Sequence, residues 1–321
     1  MSTSSGNSQP TIDIGGSQMN IDFDGQLRKA FAHQADFPKE LAYTSNMDKW
    51  GKIADGSYQT FHEMEIINAT CKDIVSQMPS GTKIIDLGAA NSAKYEPYVR
   101  EFIAQGKVCT YIPLDIANAS LGEQVERAKA KFPGMASFGL WGSFQHGDAH
   151  FEQIQPARLF LSLGSIFYNG PIEVAVDRCQ NFRRHLGPSD RLIVGQDAPI
   201  DGENASTLAA YNTSEYDAFF TGYLNAIQDE AGIVADVKQA WSVESLLDDA
   251  MHYFDVTAQH DMVCKKFDNF LVPAGTVYKM FKSWKRSEAN IRQISEKEGL
   301  SVTLIGQSKN SGMRQYMVQN K

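Results

Sequence analysis

Two apolar segments that each contain or end in an acidic residue constrain the fold of this chain most strongly. The first runs from Lys83 to Leu87, includes Asp86, and leads into the small residues Gly88 and Ala89. The second runs from Val108 to Asp115. A helical pattern between them predicts a strand, a helix and a second strand, which is the repeating unit of a parallel α/β sheet. Both acids should therefore lie at the same edge of that sheet.

The same alternation continues along the chain to Asp197. Helices are expected at residues 63–78, 97–105, 121–131 and 172–186, and strands at residues 158–163 and 190–196. After Asp197 the alternation ends, and a long segment rich in aromatic residues follows. A helix near residues 288–298 and two alternating runs, 301–306 and 313–318, then indicate a terminal hairpin that closes the sheet. We therefore predict a doubly wound, mostly parallel α/β sheet.

The composition excludes several classes of protein. With 321 residues, 42% of them hydrophobic, the chain can bury a full core. The net charge of −8 and the lack of a long basic run argue against a nucleic-acid partner. No apolar segment approaches the roughly 20 residues that cross a bilayer, so no membrane association is expected. The dispersed cysteines favour a reduced, cytoplasmic location, and residues 1–18 are expected to form a disordered tail rather than a signal peptide.

The ends of the two acidic strands indicate a nucleoside pocket. In doubly wound sheets, ligands bind outside the carboxyl ends of the strands, where a tight turn admits the ligand and an acid accepts hydrogen bonds from ribose. An NAD site would need a Gly-x-Gly-x-x-Gly turn for the pyrophosphate, whereas the turn here has the single glycine Gly88. A cofactor without phosphates, such as S-adenosyl-L-methionine (SAM), fits better. A strand ending of this kind also occurs in folds that bind nothing.

Two further loops are expected over the same pocket. The first contains Gly142, Ser143 and Phe144, which would form a wall against adenine, although loop aromatics often only cap a core. The second follows the strand at residues 158–163 and contains Asn169. An asparagine both donates and accepts hydrogen bonds, so it would either hold a substrate amine or simply form a turn.

Other polar groups carry weaker signals. His146 and His150 lie four residues apart, but no third ligand is evident, so no metal site is expected. Lys282, Lys285 and Arg286 are predicted to form a solvated face.

An ordered set of these motifs resembles one enzyme family. The motifs comprise residues 86–94, 111–115, 142–144, 163–165 with Asn169, and 210–211. In this order and spacing the chain resembles the histidine-specific, SAM-dependent methyltransferases of ergothioneine synthesis. It is more similar still to the fungal enzymes that N-methylate 4-dimethylallyltryptophan in ergot alkaloid pathways. The likeness runs from about Lys39 to the C-terminus.

The resemblance implies an architecture and a cofactor. It implies a seven-stranded, Rossmann-like class I methyltransferase sheet that binds SAM, formed by residues 61–197 and 285–321. It also implies a second, α+β substrate-binding domain formed by residues 19–60 and 198–284. The cofactor-binding positions that it implies are Asp86, Gly88, Ala89, Lys94, Asp115, Ile116, Gly142, Ser143, Phe144, Gly164 and Ser165.

The resemblance also implies a substrate site. Tyr58, Asn169 and Tyr211 match the positions that hold the substrate in the family, and we expect them to be catalytic. The wider set of implied substrate-binding residues is Tyr43, Trp50, Tyr58, Tyr168, Asn169, Tyr211, Phe281 and Ser283.

Two departures from the family pattern bear on the substrate. The family usually has glycine where this chain has Tyr168, which would fill or reshape the site. Histidine-methylating members have a glutamate two residues before a serine, and here Phe281 precedes Ser283. Because phenylalanine cannot hydrogen-bond an imidazole, an aromatic or apolar, alkaloid-like amine is the better expectation.

The expected activity is SAM-dependent N-methylation of a small amine in secondary metabolism, by a monomer or homodimer. Two alternatives remain open: methylation of oxygen or carbon by the same sheet, and SAM binding without catalysis.

Overall fold

The computed structural model describes residues 11–19, 22–89, 93–143, 147–199, 204–248 and 250–321. The elements before the break at Asp197 are β1 (Thr11–Asp13), α1 (Phe23–Phe31), α2 (Lys39–Gly56), α3 (Tyr58–Ser76), β2 (Thr82–Leu87), α4 (Glu96–Ala104), β3 (Cys109–Asp115), α5 (Asn118–Lys131), β4 (Ala136–Ser137), β5 (Gly139–Trp141), α6 (Asp148–Phe151), β6 (Arg158–Ser162), α7 (Ile172–His185) and β7 (Arg191–Gln196). Those after it are α8 (Asn204–Ala209), α9 (Ser214–Ala231), α10 (Val237–Ala240), β8 (Trp241–Asp248), β9 (Met251–Ala258), β10 (Met262–Cys264), β11 (Phe270–Val272), β12 (Val277–Trp284), α11 (Glu288–Lys297), β13 (Leu300–Gln307) and β14 (Arg314–Asn320).

The central sheet has the strand order β1-β5-β3-β2-β6-β7-β14-β13, and β4 pairs with β3. The strands from β1 to β7 pair in parallel, whereas β14 pairs antiparallel with β7 and with β13. The mostly parallel α/β sheet predicted from the sequence is confirmed, and so is its terminal hairpin. Among the described residues the sheet has nine strands, so the expected count of seven is not confirmed.

The sheet forms because its central strands are largely apolar and buried and are covered on both faces. One face packs against α3 and α4 through a core that includes Val75, Tyr98 and Phe102. The other face packs against α7 and α11 through Phe182 and Ile291. Strand β2 lies between β3 and β6, so the carboxyl ends of these three strands meet near the middle of the sheet edge.

The predicted disordered tail is wrong for residues 11–18. Strand β1 pairs in parallel with β5, with Thr11 opposite Gly139, and a short 3₁₀ turn at Gly16–Gln18 follows it. Ile14 is buried in the core beside this pairing. The sequence reasoning missed this strand because a three-residue edge strand is too short to show an alternating pattern. Residues 1–10 lie outside the described part of the chain.

A second layer contains a three-stranded antiparallel sheet, in the order β12-β9-β8. A separate hydrophobic cluster joins this sheet to α1, α2 and α9, with Leu41, Phe219, Phe220 and Phe254 among its members. These elements come from the N-terminal segment and from the segment after Asp197. In the described part of the chain, no helix is long and apolar enough to cross a membrane.

Candidate active site

The turn after β2 is held tightly against the end of β3. The backbone N–H groups of Gly88 and Ala89 both donate to the Leu114 carbonyl, at 2.9 and 3.1 Å. Gly88 has a φ of +70°, and a Cβ at this position would lie 2.9 Å from Ile166 Cδ1 in the loop after β6. The left-handed conformation therefore favours glycine here, and a Cβ would in addition force the end of the Ile166 side chain to move. The rest of this turn, residues 90–92, lies outside the described residues.

Asp86 belongs to a buried polar network beside that turn. The Tyr111 hydroxyl donates to Asp86 Oδ2 at 2.9 Å, and Gln124 Nε2 donates to the Tyr111 oxygen at 3.1 Å. Tyr95 stacks on Tyr111 with ring centroids 3.8 Å apart. Burial raises the pKa of Asp86 to about 7, although the Tyr111 hydrogen bond opposes the shift. The bond to Tyr111 ties β2 to β3 next to the pocket edge.

Asp115 ends β3 and organises the neighbouring loops. Its Oδ1 accepts the Ala117 N–H at 2.9 Å, and its carbonyl accepts the Gly142 N–H at 2.9 Å. Trp141 Nε1 donates to the Ile116 carbonyl at 3.0 Å. The structure therefore brings Asp115, Ile116 and Gly142 together, with Ser143 next along the chain. Phe144 lies outside the described residues.

A buried glutamate joins the two loops that the sequence places around the cofactor. Glu63 on α3 is fully buried and forms an ion pair with Lys94, with Nζ 2.7 Å from Oε2. The Gly164 N–H donates to both oxygens of Glu63, at 3.1 and 2.9 Å. A Cβ at Gly195 would lie only 1.6 Å from Glu63 Oε1, so β7 needs a glycine there. Sequence reasoning missed Glu63 because one acid on a helix carries no distinguishing pattern.

A second buried carboxylate follows β7 at the same sheet edge. Asp197 is fully buried. Its Oδ2 accepts hydrogen bonds from the Tyr58 hydroxyl (2.9 Å), the Gln59 amide (2.8 Å) and the Lys285 ammonium (3.1 Å). Its backbone N–H donates to Ser165 Oγ at 2.8 Å. Within the described ranges, Asp197 Oδ1 has no hydrogen-bond partner.

The position of Asp197 in the sequence could have identified it as a site residue. This acid follows an apolar strand directly, as Asp115 ends β3 and Asp86 lies near the end of β2. The sequence reasoning treated Asp197 only as the point where the alternation ends.

Lys285 and Arg286 do not form a solvated face, and that prediction was wrong. Lys285 is 1% exposed, and Arg286 is also buried. The Arg286 guanidinium donates to the carbonyls of Tyr168 and Gly170. The Lys285 ammonium lies 5.2 Å from the centre of the Tyr211 ring. Burial alone would lower the pKa of Lys285, but Tyr211 and Asp197 raise it above its ordinary value.

Tyr211, Asn169 and Ser283 come together at the end of β12. The Tyr211 hydroxyl donates to Ser283 Oγ at 3.4 Å, and Asn169 Oδ1 accepts the Trp284 N–H at 3.0 Å. Tyr211 also stacks on His252, with ring centroids 3.4 Å apart. Burial, together with nearby lysines, lowers the pKa of His252 to about 3, so its imidazole is neutral. The loop after β6 and the second layer therefore meet at this point.

Aromatic rings form a wall beside these polar groups. Tyr43 lies 5.2 Å from Trp50 and 5.9 Å from Phe281, measured between ring centroids. Phe219 packs on Phe281 at 5.6 Å. Burial raises the pKa of Tyr43 above its usual range, so its phenol stays protonated. Lys39 lies 5.4 Å from the centre of the Phe281 ring, and burial lowers its pKa to about 8.

Tyr168 is not placed to bind a substrate, and that prediction was wrong. Its side chain is fully buried in the core between the sheet, α7 and α11. Its hydroxyl shares a hydrogen bond of 2.7 Å with Ser295 Oγ on α11, and its ring packs on Phe167. The side chain therefore points into the core of the central sheet, whereas Tyr43, Tyr211 and Phe281 belong to the separate hydrophobic cluster of the second layer.

A family model described as "Histidine-specific methyltransferase, SAM-dependent" matches residues 48–320. Ergothioneine biosynthesis protein 1 of Neurospora crassa is 29% identical over 195 residues, which cover 58% of this chain and 22% of that protein. The 4-dimethylallyltryptophan N-methyltransferase easF of Claviceps purpurea is 27% identical over 143 residues, which cover 43% of this chain and 42% of that protein. The chain thus matches less than half the length of each relative.

Solved methyltransferase structures are similar in outline only. SAM-bound CalS10, an amino pentose methyltransferase from Micromonospora echinaspora, is 9% identical with a TM-score of 0.42, over 86% of this chain and 96% of that one. The mitomycin 7-O-methyltransferase MmcR is 12% identical with a TM-score of 0.43, over 94% of this chain and 69% of that one. With identities and TM-scores this low, neither structure informs the substrate of this chain.

Proposed function

Because the chain belongs to the histidine-specific, SAM-dependent methyltransferase family, we propose that it N-methylates a small amine or amino-acid-derived substrate with an aromatic or apolar body. Its family identifies the chain as a SAM-dependent methyltransferase. The nitrogen nucleophile and the aromatic or apolar substrate are what we propose in addition.

The observation that carries the proposal is the aromatic wall of Tyr43, Trp50 and Phe281. Phe281 occupies the position at which histidine-methylating relatives are expected to have a glutamate. Its ring packs among Tyr43, Trp50 and Phe219. An aromatic side chain offers no hydrogen bond to an imidazole, but it suits an indole or another apolar body, and ring faces attract a cationic nitrogen. This surface favours an aromatic amine over histidine.

The residues at the strand ends suit SAM. Gly88 adopts the left-handed conformation that the tight turn after β2 needs, and its missing Cβ makes room for Ile166 in the loop after β6. Asp115 is a buried acid at the end of β3, suited to ribose hydroxyls. Lys94, whose ammonium is paired with Glu63, is the cation that we assign to the cofactor carboxylate. When bound, SAM would supply an electrophilic methyl group at this edge of the sheet.

The chain's own residues would orient the amine. Burial, reinforced by the charge of Asp197, raises the pKa of Tyr58 above its usual range, so its phenol remains a donor near neutral pH. Tyr58 therefore suits orientation rather than proton removal, and we assign the same orienting role to Asn169 and Tyr211. Precise positioning supplies much of the rate of an in-line transfer. A protonated amine must still lose its proton before it attacks, to water or to a nearby carboxylate.

We propose that the second layer, residues 19–60 and 198–284, forms the substrate-binding half. Tyr43, Trp50, Tyr211, Phe281 and Ser283 all come from it. The partial likeness to the ergot alkaloid enzyme supports a role in secondary metabolism. The free cysteines support a cytoplasmic location, and we expect a monomer or homodimer.

The test is methyl transfer from labelled SAM to a panel of tryptophan, 4-dimethylallyltryptophan, tryptamine and histidine. We expect kcat/KM to be highest for an aromatic amine. Phe281→Glu should lower that value at least about tenfold, since it places a carboxylate in an apolar wall, whereas Phe281→Leu, which keeps the wall apolar, should retain most of it. A wild-type preference for histidine would contradict the proposal.

A further inference from the structure

We propose that Asp197 Oδ1 accepts a hydrogen bond from the cationic nitrogen of the substrate, an assignment that rests on the proposed function.

The two oxygens of Asp197 differ sharply in their surroundings. Oδ2 is saturated by donors from Tyr58, Gln59 and Lys285. Oδ1 is equally buried but has no partner in the part of the chain that the structure describes. A buried carboxylate oxygen without a donor is costly, so such an atom usually indicates a missing water or ligand. The empty acceptor therefore points to a donor that arrives from outside the chain.

The position of Asp197 favours the substrate as that donor. Asp197 follows β7, and its N–H bonds Ser165 in the loop after β6, so it lies at the strand edge that holds Gly88 and Gly164. The Tyr58 hydroxyl contacts the same carboxylate, and Lys285 connects that carboxylate to the Tyr211 ring. Asp197 therefore joins the two tyrosines expected to hold the substrate.

The chemistry of the surrounding groups favours a nitrogen cation. A carboxylate oxygen accepts hydrogen bonds and has none to donate, so Oδ1 calls for a donor. The Lys285 ammonium lies 3.1 Å from Oδ2, on the other oxygen of the same carboxylate. Hydrogen bonds from a charged donor are about twice as strong as neutral ones. The neighbouring aromatic rings add a surface that tolerates positive charge.

The test compares two probes that differ only in the amine. Calorimetry would measure binding of tryptamine and of its neutral analogue 3-ethylindole to protein saturated with S-adenosylhomocysteine. We expect wild type to bind tryptamine about 10- to 100-fold more tightly, the range for a charge-assisted hydrogen bond. Asp197→Asn keeps the shape of the side chain and should remove most of this preference.

Asp190→Asn is the matched control. Asp190 is also a buried aspartate paired with a cation, Arg158, but it lies before β7 at the opposite end of the strand, and both of its oxygens are hydrogen-bonded. This variant should lose stability yet retain the preference for tryptamine. If wild type binds the two probes equally, or binds neither, the assignment is overturned. This outcome needs only the wild-type protein, so it does not depend on whether a variant folds. An unchanged preference in Asp197→Asn would also overturn the assignment. Methyl transfer to the amine panel tests the proposed function separately.

Discussion

The buried carboxyl of Asp86 should make the stability of this protein fall as the pH rises from about 5 to about 7. Burial raises the pKa of Asp86 from 3.8 to about 7. A carboxyl whose pKa is higher in the folded than in the unfolded state favours folding while it is protonated, and this contribution is lost as pH rises toward the folded-state value. Between pH 5 and pH 7 the folded protein holds the proton and the unfolded chain does not.

The size of the effect follows from that difference. Each unit of pH between the two pKa values changes the free energy of unfolding by about 1.4 kcal/mol. Allowing for partial ionisation near pH 7, the wild type should lose about 2 kcal/mol between pH 5 and pH 7 through Asp86 alone. Asp86→Asn removes the titrating group but can still accept the hydrogen bond from Tyr111.

Urea unfolding at pH 5, 6 and 7 would measure the free energy of unfolding of both proteins. We expect the variant to gain about 2 kcal/mol relative to wild type as pH rises over this range. Other titrating groups change both proteins alike, so the difference isolates Asp86. A difference that is constant with pH, or that shrinks as pH rises, would refute the reasoning.

Four further substitutions test the geometry of the site. Gly88→Ala forces a left-handed conformation on alanine at a φ of +70°, which should cost about 1–2 kcal/mol and weaken SAM binding measured by calorimetry; unchanged binding and stability would argue against a tight turn. Gly195→Ala places a Cβ against the Glu63 carboxylate and should lower the free energy of unfolding, measured in urea, by about 1–3 kcal/mol. An unchanged urea midpoint would be inconsistent with the close approach of Glu63 to Gly195. Asn169→Ala and Tyr211→Phe should each reduce kcat/KM for the best amine by about 2- to 10-fold while SAM binding persists, and unchanged turnover in both would remove them from the site.

The parallel sheet and the ends of its strands were predictable because their physical signals are local. Apolar segments that alternate with helical patterns predict parallel strands. Gly88 and Asp115 mark the ends of two of these strands. A glycine directly after an apolar strand already indicates a tight turn, because glycine readily adopts the left-handed conformation that such a turn needs. These features depend on residues close together in the chain, so they were correctly placed without knowledge of the tertiary contacts.

Contacts between distant segments were less predictable. Lys285 was expected to be solvated because lysines usually are, and its buried partner Asp197 lies 88 residues away. The position of the Tyr168 side chain depends on its hydrogen bond with Ser295, which is distant in the sequence. The role of Glu63 is apparent only from its contacts with Lys94 and Gly164. The strands of the second layer were not located because β8 is largely exposed and β10 and β11 are very short.

The most direct test of the proposed activity is a competition between equimolar tryptophan, 4-dimethylallyltryptophan and histidine, with SAM carrying a deuterated methyl group. Fragmentation by mass spectrometry would locate the label in each product. We expect the label on the amine nitrogen of an aromatic substrate, with little in histidine. Label chiefly in histidine, or on an oxygen or carbon atom, would contradict the proposal that an aromatic wall selects an amine for N-methylation.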